Sequence, residues 1–175
     1  MMRVLFTFLI LGAGLYLAGC TTEPDFSNVP NLLDGSTTIS KTTNTDRLGN
    51  AQDSLVIGVK FQDGDGDLGL SSNMYPDSVL IKEGYNYEVK TLRRIRGQFQ
   101  DVTQSFGVSN SGNFPRLRQD NKVGPIEGTL SRSIMIPHLA VSRNDTLKFR
   151  IRIKDRALNV SNEVETPSVI LRVQQ

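Results

Sequence analysis

The chain has no tryptophan, one histidine (His138) and one cysteine (Cys20) among 175 residues. A lone histidine rules out an imidazole metal cluster and any catalysis that needs two histidines. A lone cysteine rules out an intrachain disulfide. If its thiol is consumed by modification, no thiolate ligand or cysteine nucleophile is left either. Ser131 and Ser133 lie outside any nucleophile-elbow motif, so the tools for enzyme chemistry are few. Strong charge of one sign is also missing, since the formal net charge is +2. No global field therefore points to nucleic acid, and the aromatic interleaving of a single-strand binder is sparse.

What is present begins at the amino terminus. Arg3 supplies a positive start, and Val4 to Leu17 form an apolar run broken by Thr7, Gly12 and Gly14. The run is shorter than the ~20 residues of a membrane-spanning helix, and it reads as a secretory signal. It ends in Leu17-Ala18-Gly19-Cys20, which resembles the lipobox of bacterial lipoproteins. That resemblance implies cleavage before Cys20 and a diacylglycerol on its thiol. Acyl chains contribute about 0.8 kcal/mol per buried methylene, so several on one residue anchor a protein almost permanently. Residues 1–19 are thus expected as a cleaved signal and Cys20 as the lipid attachment point, leaving 156 residues that suit one domain.

From Thr21 to about Asn50 the chain is rich in Thr, Ser, Asn, Asp and Pro, and Pro24 and Pro30 forbid a helix across its first part. Residues 20–50 are expected as a linker, with an edge strand over Ser36 to Thr43. Beyond it a period-two pattern begins. Leu55, Ile57, Val59 and Phe61 share one face of a strand, and Leu147, Phe149, Ile151 and Ile153 share the inner face of a second, with Lys148, Arg150, Arg152 and Lys154 outward. Further strands are expected over Ser78 to Lys82, Tyr85 to Arg96, Phe99 to Phe106, Ile126 to Ile136 and Pro167 to Val173, with Gly84, Gly97, Gly107, Gly112, Gly124 and Pro137 as turn residues. No segment after the signal has a sustained helical period. An all-β fold follows, a single immunoglobulin-like or fibronectin-like sandwich over residues 51–175; a small barrel has the same sequence appearance.

The sharpest local motif is Phe61-Gln62-Asp63-Gly64-Asp65-Gly66-Asp67-Leu68-Gly69-Leu70. Three carboxylates at alternate positions repel one another unless a cation or full solvation compensates. Calcium suits such a site because it takes several oxygen ligands. Asp63, Asp65 and Asp67 resemble the first three ligand positions of an EF-hand loop, but Leu68 stands where that loop has glycine and Met74 where it has glutamate. Further ligands must then come from another loop, with Asp77, Asp155 or Asn159 as candidates. The alternative is a solvated turn, since Asp and Gly are ordinary turn residues. The basic row Lys148 to Lys154, with Arg94 and Arg96, either meets an anionic partner or forms a solvated face that resists edge pairing. Residues 155–162 read as a polar turn, and His138 as an ordinary satisfied histidine. Charge is divided along the chain: Cys20 to Glu88 carries −7 and Val89 to Gln175 carries +8, so internal complementarity and separate patches are both open.

Taken together, the lipobox, Glu23-Pro24-Asp25-Phe26 to Pro30, Phe61 to Gly69, Gly124-Pro125-Ile126-Glu127-Gly128 and Lys154 to Asn162 resemble a Bacteroidota lipoprotein family with a DGDGDLG motif. The resemblance implies an envelope location and brings no catalytic residues with it. Thr21 after Cys20, in place of aspartate, points by analogy to the outer membrane, on its periplasmic face or at the cell surface. The leading expectation is a lipid-anchored, non-enzymatic module that binds an envelope protein or glycan, with calcium ordering the Asp63 to Asp67 loop. The alternatives are a hydrolase of an extracellular polymer built on a carboxylate pair drawn from Asp63, Asp67, Asp101 or Glu127, and a structural spacer in an outer-membrane assembly.

Overall fold

A computed structural model describes residues 23–71, 84–107 and 109–171. Cys20, Met74, Asp77 and the expected strand Ser78 to Lys82 lie outside the described residues. Among those described, the chain is an all-β sandwich of two antiparallel sheets, with one 3-10 turn at His138–Ala140. None of their helices is long and apolar enough to cross a membrane.

The first sheet is built around β3 (Ala51–Asp63). Its even spacing buries Asp53, Leu55, Ile57, Val59, Phe61 and Asp63 and turns Val56 and Lys60 to solvent. β6 (Ile126–Pro137) pairs with one edge of β3 along nearly its whole length, from Gln52 opposite Pro137 to Asp63 opposite Ile126. The other edge is shared by β1 (Asn31–Leu32), opposite Gln62 and Phe61, and β2 (Thr38–Thr45), opposite residues 58 to 51. The β2–β3 hairpin closes on Asp46, whose carboxylate accepts the backbone N–H groups of Leu48 and Asn50, each at 2.8 Å. Within residues 20–50, β2 falls on the edge strand expected over Ser36 to Thr43, and β1 adds a second, shorter one. A Thr-rich strand needs only a buried edge partner to be stable, and β3 supplies it.

The second sheet runs β5–β4–β7–β8, comprising β5 (Gln98–Asp101), β4 (Tyr87–Ile95), β7 (Thr146–Ile153) and β8 (Val164–Glu165), with β9 (Val169–Ile170) on the same edge of β7 as β8. The segment Phe99 to Phe106 is only half strand. The Asp101 carboxylate takes the Thr103 N–H at 2.9 Å and its hydroxyl at 2.6 Å, which turns the chain out of the ladder. Phe106 then returns to the core, with the Arg93 guanidinium 5.4 Å from its ring centre.

Leu55, Ile57 and Val59 from the first sheet meet Leu147, Phe149, Ile151 and Ile153 from the second, all buried to within 1%. Each such side chain contributes about 1.5–3 kcal/mol relative to exposure. Among the described residues, β5 pairs with β4 in the second sheet and not with β6.

Candidate metal site

Because β3 alternates, the parity that buries Leu55 to Phe61 also buries the residues two positions beyond them at each end. Asp63 is one of these, and it is fully buried where β3 ends and its loop begins. Asp65 and Asp67 follow at the same spacing, half-buried. One carboxylate oxygen from each of the three lies within 4.8 Å of the others. Two oxygens bound to one calcium ion at 2.3–2.6 Å are at most about 5 Å apart, so the cluster has the size to hold a metal ion.

The loop's own hydrogen bonds shape the cluster. The Asp67 N–H donates to Asp63 Oδ2 at 3.1 Å and lies 3.4 Å from Asp65 Oδ1. Ala157 N–H donates to Asp67 Oδ2 at 3.1 Å. This leaves Asp63 Oδ1 and Asp67 Oδ1 buried without a hydrogen-bond partner, an arrangement that costs about 1–3 kcal/mol per group, and more when the group is charged. Burial, and then the charges of Asp65, Asp67 and Asp155, push the Asp63 carboxyl up to about 7. Burial and the charges of Asp155 and Asp65 also raise that of Asp67, against a smaller opposing effect of Arg156.

Three other segments close around this loop. Gly64 N–H donates to Ser27 O at 2.8 Å, and the approach is so tight that a Cβ on Gly64 would collide with Phe26 O and lie 2.8 Å from Asn28 Oδ1. Gly124 N–H donates to Asp65 O at 3.2 Å, and Leu117 N–H to Leu68 O at 3.2 Å. Gly69, at φ +86°, has no room for a Cβ against Pro115 O. Leu68 is fully buried and bridges to Asp155. The chain thus dives into the sandwich at the position where an EF-hand loop would turn on glycine, which is why the EF-hand likeness ends at Asp67.

Of the additional ligand candidates, Asp155 is brought beside the cluster, close enough to act on the charge of both Asp63 and Asp67. Its own oxygens are taken by Asn159, through the backbone N–H at 2.7 Å and the side-chain amide at 2.8 Å. Asp155 and Asn159 therefore form a closed turn next to the cluster. Asp101 lies in the other sheet, tied to Thr103, and Glu127 accepts the Gln62 amide at 3.2 Å.

The basic row on β7 faces outward as expected, and it is matched by carboxylates. Arg152 meets Glu88 at 2.6 Å, Arg150 meets Glu165 at 3.0 Å, Lys148 meets Glu165 at 3.4 Å and Lys154 lies 3.9 Å from Glu88. Arg94 sits on β4 beyond its pairing with β7, and Arg96 in the turn after it. The pairs with Glu88 join the acidic and basic halves of the chain. A cluster the sequence reading missed occupies the other end of β3. Asp53 is fully buried, accepts the Thr43 hydroxyl at 2.6 Å, and lies 3.3 Å from His138 Nε2 and 3.8 Å from Lys41 Nζ. The period-two parity that buries Leu55 marks Asp53 as inward, and that signal was available in the sequence.

No protein family, curated protein or solved structure matches the chain.

Proposed function

We propose that the chain is a lipid-anchored, non-enzymatic binding module of the bacterial cell envelope, acylated at Cys20, whose Asp63 to Asp67 loop is ordered by calcium. The observation that carries the calcium reading is Asp63 Oδ1. It is a buried carboxylate oxygen with no hydrogen-bond partner, on a fully buried residue that brings one carboxylate oxygen within 4.8 Å of those of Asp65 and Asp67. A hard divalent cation with oxygen ligands satisfies it and removes the repulsion in one step. The fourth acidic group, Asp155, adds to the field that attracts the cation.

The adaptor reading is favoured over a carboxylate-dependent hydrolase. A carboxyl pushed to about 7 beside two carboxylates resembles a general acid in electrostatics, but complete burial keeps Asp63 from any polymer. The sandwich ends offer loops for an envelope protein or glycan, and a bacterial outer membrane is the proposed location. The test has two parts. Mass spectrometry of the protein from an expressing bacterium should find Cys20 as an acylated amino terminus, and an unmodified thiol would reject the anchor. Calcium titration of residues 21–175, which contain every described strand, should raise the melting midpoint. No change at millimolar calcium would reject the metal site. Saturation at one hundred times the dissociation constant corresponds to about 2.7 kcal/mol.

A further inference from the structure

We infer that the end of the sandwich carrying the Asp63 to Asp67 loop docks, when calcium is bound, on the anionic phospholipid surface to which the chain is tethered. This rests on the calcium and acyl-anchor readings above. The first support is where the tether meets the fold. The Ser27 carbonyl is bonded to Gly64 in the metal loop itself, and only six residues lie between Ser27 and Cys20. Fully extended, the seven residue steps from Cys20 to Ser27 span at most about 25 Å, so the metal loop stays within that distance of the lipid-bearing residue. The other end of the sandwich, where Leu48 caps the β2–β3 hairpin, lies the length of β3 from the metal loop, about 40 Å for its 13 residues.

The second support is what the adjoining loops expose. Val123 is 84% exposed, Leu158 49% and Leu117 36%. Each lies on a segment bonded to the metal loop, through Gly124 to Asp65, Ala157 to Asp67 and Leu117 to Leu68. Leu48 and Leu139 at the far end are also exposed, but among the described residues neither a tether nor a three-carboxylate cluster accompanies them, and scattered apolar residues are normal.

The third support is the charge. Residues 23–28, 63–70, 114–125 and 155–159 together hold seven carboxylates (Glu23, Asp25, Asp63, Asp65, Asp67, Asp120, Asp155) and four cations (Arg116, Arg118, Lys122, Arg156). With all of them ionised, a bound divalent ion changes the net charge of these segments from −3 to −1, removing most of the repulsion from anionic headgroups that keeps the metal-free end off the surface. A short tether holds the end at an effective concentration in the millimolar range, so a weak contact is enough to keep it seated.

The test uses the full-length acylated protein in vesicles. Because the Cys20 thiol carries lipid, the substitution Val123→Cys provides a single thiol for a polarity-sensitive fluorophore, and Leu48→Cys provides the far-end comparison. In phosphatidylglycerol–phosphatidylcholine vesicles, calcium should blue-shift the label at position 123, a chelator should reverse the shift, and the label at position 48 should not respond. If calcium raises the melting midpoint of the same protein but leaves the label at 123 unshifted, the docking inference fails and the calcium site stands. If the midpoint does not move, the calcium reading fails and the docking falls with it. A shift already complete without calcium overturns the switch. A shift seen only in native envelope fragments, and not with pure lipid, assigns the surface to a protein or glycan partner and overturns the lipid assignment.

Discussion

Replacing Asp63 with asparagine tests the buried carboxylate directly, and its effect reverses between low and high pH. The Asp63 carboxyl is raised from 3.8 to about 7, so between those values the metal-free folded state holds a proton that the unfolded chain has released. Stability from this group is then fully present below about pH 4 and is lost as pH rises through about 7. Each tenfold difference in proton affinity between the folded and unfolded chain is worth about 1.4 kcal/mol, which makes the loss on the order of 4 kcal/mol, or about 10 °C in melting midpoint for a domain of this size. Thermal melts of residues 21–175 in chelator should therefore show a midpoint that falls from pH 5 to pH 8. Calcium should restore it at pH 8 and do little at pH 5, where protons compete for the same oxygens. Asp63→Asn retains the shape without the charge. It should flatten the pH dependence, melt higher than the parent at pH 8 in chelator, and lose the calcium response. If the variant melts lower than the parent at pH 8 without metal, the unpartnered carboxylate is not the destabilising group and the reasoning fails.

Phe149→Ala empties the centre of the core and should cost about 3–5 kcal/mol by urea denaturation. Asn162→Ala removes an amide that accepts the Leu32 N–H at 2.8 Å and donates to the Leu32 carbonyl at 2.8 Å. It should cost about 1–3 kcal/mol and raise hydrogen exchange across residues 31–33. Gly64→Ala places a methyl group against Phe26 O and Asn28. It should release the segment around Ser27, seen as faster proteolysis there, with a loss of about 1–3 kcal/mol. A variant that melts like the parent and stays protected there would contradict the close packing.

Much of the architecture is written locally. A strict two-residue period with β-branched side chains leaves β3 and β7 no other way to bury their apolar atoms, and the same parity marks Asp53 and Asp63 as inward. The repulsion among Asp63, Asp65 and Asp67 was legible for the same reason: alternate residues of an extended chain share a side. The edge strand expected over Ser36 to Thr43 is found as Thr38–Thr45, but the sequence could not show that it pairs with β3, because a polar edge strand is held by its partner's backbone and carries no signal of its own for register. It could not show that Asn159 closes off the Asp155 carboxylate, or that Glu88 and Glu165 answer the basic row of β7, since each contact joins positions set by strand register. Strand order and the convergence of residues 27, 124 and 157 on the Asp63 to Asp67 loop were decided only when the two sheets packed. Hydrophobic burial specifies which face turns inward, while the identity of the neighbours depends on contacts between residues far apart in the chain.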